Sequence, residues 1–322
     1  MNRTDNRIRY IAKINRAIDF IDANLDQDLT LDQVARFAGF SEFHFHRIFS
    51  NIVGETFGRF VQRVRVEHSA MMLTNDTKKS ITDIAYACGF SSSASYSRLF
   101  REFFACTPSQ WRDGEAQKSR IRIIQGKDYH VQSTPRKDIN IRSFYNQSMN
   151  SFEWKITLKG EEFSQIRIET HPEREIAYIR HIGPYFNDEA LFCSLFEKLF
   201  RWAVPRKLVT DKTRNYCIYH DDPAITEPEK LRLSVGIDIP AQTELSGEVG
   251  RLVLPAGEYA MAKLELSSDQ YPLAWNIIYR DWLPESGYMC GDGLPYETML
   301  QDPAKHPEGK HVFEICIPVV PL

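Results

Sequence analysis

The sequence predicts two domains of different class: an all-α N-terminal domain over residues 1–112, and an α+β domain with an antiparallel sheet over residues 161–322. Three observations predict this. Through the first third, apolar residues recur at three- and four-residue steps, the spacing of amphipathic helices. From Phe163 the period falls to two, the spacing of strands. Between them, residues 113–160 are rich in Ser, Asn, Gln, Lys and Arg and carry short alternating pieces such as Ile121-Arg122-Ile123. That is the composition of a linker with one or two strands at most.

In the first helix, Ile11, Ile14, Ile18, Ile21 and Leu25 form the apolar stripe. Thr30 is a good N-cap before Leu31-Asp32-Gln33-Val34-Ala35, and Gly39 stops that helix. Ser41 caps the next, whose apolar positions Phe45, Ile48, Phe49 and Ile52 fall on one face; Gly54 ends it, and a longer helix runs from about Phe57 to Leu73. The pattern then repeats. Ser80 caps Ile81-Thr82-Asp83-Ile84-Ala85, Gly89 stops it, Ser91 caps again, and Tyr96, Leu99, Phe100 and Phe103 restate the stripe. Ala35-x-x-x-Gly39-Phe40-Ser41 matches Ala85-x-x-x-Gly89-Phe90-Ser91 at an offset of 50, whereas Arg47 and Phe49 match Arg98 and Phe100 at 51, so the second copy has one extra residue.

Each unit, about 31–52 and 81–104, has the composition of a helix-turn-helix: a small residue where the helices approach, a glycine at the turn, and a second helix fit for a major groove. With the apolar stripe buried, Phe43, His46, Arg47 and Ser50 face outward on the first unit, and Ser95, Arg98 and Arg101 on the second. Arginine pairs bidentately with guanine, an outward phenylalanine can lie on a thymine methyl, and the helix N-termini beside Thr30, Ser41, Ser80 and Ser91 offer N–H groups to phosphates. Two such helices on one rod could read successive faces of a duplex without a dimer, so a monomer on DNA is expected. His44 and His46 stand about 200° apart on a helix and cannot share a metal.

Charge agrees with a polyanion partner for the first half. Residues 1–150 carry 22 Lys and Arg against 16 Asp and Glu, a balance of +6, and residues 151–322 carry 18 against 27, a balance of −9. At 322 residues and 43% hydrophobic content the chain is long enough for two ordinary globular cores. No apolar run reaches the roughly 20 residues of a membrane span. The charged N-terminus and six scattered cysteines without a C-x-x-C pair lead to the expectation of a cytoplasmic protein without a membrane partner, metal or cofactor.

Residues from about 10 to 112 resemble the DNA-binding domain of AraC/XylS-type transcription regulators. The resemblance rests on Leu31-x-x-Val34-Ala35-x-x-x-Gly39-Phe40-Ser41, Arg47-x-Phe49, Gly54-Glu55-Thr56-Phe57-Gly58-Arg59-Phe60, Ile81-x-x-Ile84-Ala85-x-x-x-Gly89-Phe90, Ser97-Arg98-x-Phe100 and Thr107-Pro108-Ser109-Gln110-Trp111-Arg112. Phe57 stands where that family usually has proline. The resemblance implies base contacts by Phe43, His46, Arg47, Ser95 and Arg98.

Residues 163–320 resemble the GyrI-like effector-binding domain, also found in Rob-like regulators. The matching pieces are His181-Ile182-Gly183-Pro184-Tyr185, Tyr219-His220-Asp221-Asp222-Pro223, Leu254-Pro255-Ala256-Gly257-Glu258-Tyr259, Tyr296-Glu297-x-x-Leu300-x-Asp302-Pro303 and Phe313-Glu314-Ile315-Cys316-Ile317-Pro318. It implies a pseudo-duplicated antiparallel α+β fold with a cleft between the halves, and a buried acid at Glu297. The aromatic, acidic composition of this half suits a flat cationic ligand, with Tyr185, Tyr259, Trp275, Trp282, Tyr296, Glu297 and Glu314 expected to bind it. Glu314 lies in an apolar strand, so either a partner holds it or alternation puts it on the wet face. Tyr219-His220-Asp221-Asp222-Pro223 reads as a turn after a strand. No nucleophile elbow, zinc-protease or phosphate-loop motif is present, which leads to a regulator rather than an enzyme, expected to be an activator that meets RNA polymerase. A hydrolase of reactive small molecules, or a protein-interaction module without ligand, are the alternatives for the second domain.

Overall fold

The computed structural model describes residues 3–76, 78–114, 138–146, 151–267, 270–291, 293–301 and 305–322, with side chains from Arg7 onward. Ile121-Arg122-Ile123, Asp302 and Pro303 lie outside these. The helical domain comprises α1 (Arg3–Asp22), α2 (Leu31–Phe37), α3 (Glu42–Val53), α4 (Phe57–Asn75), α5 (Ile81–Ala87), α6 (Ser93–Phe104) and α7 (Pro108–Arg112). Thr30 and Gln33 form a reciprocal capping box at α2, and Ser80 accepts from the Asp83 amide at α5. Gly39, Gly54 and Gly89 take the left-handed conformation at the helix ends, where a side chain would be strained.

Two cores share the long α4. Its first half (Phe57, Phe60, Val61, Val64) packs with Ile14, Ile18, Val34, Phe45 and Phe49; its second half (Val66, Ala70, Leu73) packs with Ile84, Ala85, Tyr96, Phe100 and Trp111. Phe57 starts α4 under a Thr56 cap and lies edge-on to Phe45 and Phe49, so the residue in place of proline joins the core. The units are tied across α4 as well. Arg65 Nε donates to Leu25 O at 2.8 Å, and Arg59 pairs with Glu102 at 2.6 Å and lies over Phe103.

The second domain is an antiparallel sheet of eleven strands among the described residues, ordered β1-β2-β3-β8-β11-β10-β5-β6-β4-β7, with β9 on β11. The strands are β1 (Ile139–Asn146), β2 (Ser151–Leu158), β3 (Glu161–His171), β4 (Arg174–Ile182), β5 (Asn215–Tyr219), β6 (Arg232–Asp238), β7 (Gly250–Leu254), β8 (Gly257–Leu266), β9 (Tyr288–Cys290), β10 (Tyr296–Gln301) and β11 (His311–Pro321). The polar stretch read as a linker thus supplies β1 and β2, which extend the sheet beyond β3.

Two helices cover one face of this sheet. One, α8 (Glu189–Ala203), packs on β4 and β6. The other, α9 (Tyr271–Asn276), continues through Trp282 in a wider π-turn and packs on β2, β3, β8 and β11. β5 and β10, the central strands, run between them.

The domains meet through α1. Asp19 accepts from Tyr178 Oη at 2.6 Å and from Arg180 at 2.8 Å, and Asp22 accepts twice from Arg232 at 2.8 and 2.9 Å. Arg232 also binds Asp221 and lies over Phe60. Ile182 packs against the first helical core, and Ile225 belongs to the second.

Candidate nucleic-acid interface and effector site

Twelve residues long and aligned residue for residue at an offset of 51, α3 and α6 are equivalent helices. The cap of α6 is therefore Ser92, not the expected Ser91: the Ser92 hydroxyl accepts from the Ser95 amide at 3.2 Å. With serines at 91, 92 and 93, only the helix register decides which one caps. The same register pairs Arg98 with Arg47, Arg101 with Ser50, Ser97 with His46 and Ser95 with His44. His44 and Ser95 do similar work, since Ser41 Oγ meets His44 Nδ1 at 3.2 Å and Ser92 Oγ meets Ser95 Oγ at 3.0 Å. Ser95 is half-buried and also donates to Ser92 O, so its hydroxyl is engaged in the cap. Ser97, which the sequence reading passed over, is the equivalent of His46.

On α3, Phe43 is 68% exposed, with the Arg47 guanidinium over its ring at 5.8 Å. Phe43, His46 and Arg47 line a shallow surface hollow with Leu31, Ser41 and Glu42. Arg98 and Arg101 are exposed on α6. Ser50 departs from expectation: its hydroxyl is buried, with no hydrogen-bond partner among the described residues. A serine side chain on the flank of a helix is too short to reach past the longer side chains of neighbouring turns. Ser41 stands at the N-terminus of α3 without a side-chain cap bond, while Thr30 and Ser80 use their hydroxyls in caps.

The residues expected to bind an effector fall into three places. Glu297 on β10 sits between the two helices on the covered face, 4% exposed. It accepts from Trp275 Nε1 at 2.7 Å and from Tyr219 Oη at 2.8 Å. Burial pushes its carboxyl up to about 7, against these two donors, which lower it. Tyr219 lies 5.7 Å from the Tyr185 ring and edge-on to Trp275, and Trp275 stacks on Tyr279 one helical turn away. Tyr185, Trp275 and Glu297 therefore come together as expected. Tyr219 was missed because it was read into a turn, yet it ends β5, and its alternation with Cys217 puts it on the face of Glu297.

Tyr259, Tyr296 and Glu314 lie on the other face. Tyr296 pairs with Cys316 and Glu297 with Ile315, so neighbours 296 and 297 point to opposite sides. Tyr259 and Tyr296 pack with Tyr216 and Cys316, and Tyr259 stacks on His171. Glu314 is buried and held by Arg167 at 2.7 Å, so it is partnered rather than wet. Trp282 is wholly buried, edge-on to Trp154 at 5.5 Å in the core under α9. These four are not part of the Glu297 cluster. Among the described residues no group of three His, Cys, Asp or Glu side chains could hold a metal ion, and no helix is long and apolar enough to cross a membrane.

A duplicated helix-turn-helix unit is thus joined to a sheet domain that buries an acid among aromatic side chains. The comparisons agree: residues 34–114 match a helix-turn-helix domain, and residues 164–320 match the GyrI-like small molecule binding domain. The chain belongs to the GyrI-like family through its C-terminal domain, and a helix-turn-helix domain precedes it. A DNA gyrase inhibitor of Yersinia enterocolitica is 34% identical over 142 residues, 42% of this chain and 85% of that protein. An HTH-type transcriptional regulator of Staphylococcus aureus (strain COL) is 34% identical over 140 residues, 44% of this chain but only 18% of the length of that relative. The crystal structure of an AraC-type transcriptional regulator from Chromobacterium violaceum is 31% identical, covers 31% of this chain and 89% of that chain, and has a TM-score of 0.30.

Proposed function

We propose that this protein is a sequence-specific transcription regulator of the cytoplasm that binds double-stranded DNA as a monomer, activates with RNA polymerase, and senses a cationic aromatic molecule at Glu297 rather than catalysing a reaction. The observation that carries the reading is the register of α3 and α6, which sets an exposed arginine, Arg47 and Arg98, at the same position of two equivalent helices. Phe43 and His46 extend the contact on α3, and Arg101 on α6. Ser41 and Ser92 stand where the helix N-termini meet phosphates.

A cationic ring entering between Tyr185, Tyr219 and Trp275 would take over the carboxylate that Tyr219 now binds. Tyr219 is followed directly by His220 and Asp221. His220 bonds Ser234 at 2.9 Å and lies 3.4 Å from Arg180, and Asp221 holds Arg232. Those two arginines grip α1, so a shift at Tyr219 reaches the DNA-binding domain within two residues.

Mobility-shift titration at fixed salt tests the DNA reading. Arg47→Ala and Arg98→Ala should each cost about 1–3 kcal/mol of specific binding, with little effect on nonspecific DNA. Unchanged affinity for both variants would remove the groove assignment.

A further inference from the structure

Cys88 is the C-cap of α5, directly before Gly89 in the turn of the second helix-turn-helix unit, and is wholly buried. Its sulfur lies 3.7 Å from Met72 Sδ and 4.0 Å from His68 Nδ1. His68 and Met72 stand one turn apart on α4, so both face the turn from one side. His68 is exposed and Met72 half-buried, which leaves a way in from solvent along the imidazole. Neither the proposed DNA contacts nor the proposed effector site uses these three residues.

We infer that His68, Met72 and Cys88 form a binding site for one cuprous ion. The spacing suits it. An ion bonded to sulfur at about 2.3 Å and to imidazole at about 2.0 Å in a trigonal plane separates two sulfurs by roughly 4.0 Å and sulfur from nitrogen by roughly 3.7 Å. Both measured separations lie within a few tenths of an ångström of these, so a rotamer adjustment brings the donors into place. A thiolate, a thioether and an imidazole select a soft monovalent ion; calcium, magnesium and manganese want the oxygen donors that this cluster lacks.

On binding, the Cys88 S–H bond breaks, its proton leaves to solvent, and the sulfur bonds to copper. Met72 and His68 each give a lone pair, and no electron is transferred. Burial holds the thiol up at about 12, while Arg65 and Lys79 favour the thiolate. The bound ion clips the α5–α6 turn to α4 and so fixes the second recognition helix against the rod.

The test is anaerobic titration of the full reduced chain with Cu(I) against a coloured Cu(I) chelator, together with X-ray absorption at the copper edge. Wild type should hold one ion with two sulfur neighbours and one nitrogen. Met72→Leu and His68→Asn should each weaken it at least tenfold, Cys88→Ala should remove it, and Cys193→Ser, a change at an exposed cysteine, should leave it unchanged. Wild-type affinity in Met72→Leu and His68→Asn, or no ion beyond what Cys88→Ala still takes up, overturns the site. The two α4 variants keep the cysteine, so the result does not depend on whether Cys88→Ala folds.

Discussion

Glu297 is a carboxyl whose surroundings oppose its charge. Burial raises it to about 7 from an ordinary 4.5, and the Trp275 and Tyr219 donors recover only part of that. Because the folded state holds this proton more tightly than the unfolded chain, the group's contribution to stability is full below about pH 4.5 and is lost as pH rises through 7. A cationic ligand works the other way, since it needs the carboxylate. Affinity for a cationic aromatic dye should therefore rise about tenfold from pH 6 to pH 8. Glu297→Gln should weaken binding at pH 8 and flatten the pH dependence in a fluorescence titration. A dye that binds Glu297→Gln as well as wild type at both pH values would place its site elsewhere. Glu314 should behave differently. It pairs with Arg167 on the opposite face of the sheet, and Glu314→Gln should leave dye affinity unchanged.

Among elements, the turn of the second unit is tightly constrained. A Cβ on Gly89 would sit 2.3 Å from Leu25 O and 2.8 Å from the Arg65 guanidinium, at a φ of +76°. Gly54 has a similar φ of +82° but open space around it. Gly54→Ala should cost about 1 kcal/mol, the price of the left-handed backbone alone. Gly89→Ala should cost about 2–3 kcal/mol, because the turn must also move off the Leu25 carbonyl in the segment after α1. Urea unfolding of the pair measures the difference, and equal losses would mean that Leu25 and Arg65 yield freely. The two glycines hold different places, Gly54 at the end of α3 and Gly89 in the turn before α6, and only Gly89 packs against the Leu25 carbonyl that Arg65 also ties.

At the scale of the molecule, the sheet domain grips the DNA-binding domain through buried charge. Arg232 is 2% exposed and shared between Asp221 of its own domain and Asp22 of α1. Removing it strands Asp221 in the interface. Arg232→Ala should cost about 3–5 kcal/mol in urea unfolding, and it should also break the link between dye binding and DNA affinity. An Arg232→Ala protein as stable as wild type would mean that water replaces the guanidinium without loss. Glu67 on α4, pushed up to about 7 by burial and the nearby Asp221, belongs to the same interface.

What could be read along the chain was local. The repeated stripes, Thr30 and Ser80 as caps and Gly39, Gly54 and Gly89 as stops follow from a 3.6-residue period and from backbone conformations that few residues adopt. They sufficed for two helix-turn-helix units and for Phe43, His46, Arg47, Arg98 and Arg101 as outward side chains. Ser50 failed because helical phase does not say how far a short side chain reaches, and Ser91 failed because three serines leave the register open. In the sheet, alternation shows that residues two apart share a face, as 217 and 219 do, but not which face of β10 matches which face of β11. Alternation alone parts Tyr296 from its neighbour Glu297, but the pairing of distant strands decides that Tyr259 and Glu314 lie with Tyr296 and not with Glu297. The clamp of Asp19 and Asp22 on Arg180 and Arg232 joins residues about 160 to 210 positions apart. No local period carries such a contact; only the folded chain brings those charges together.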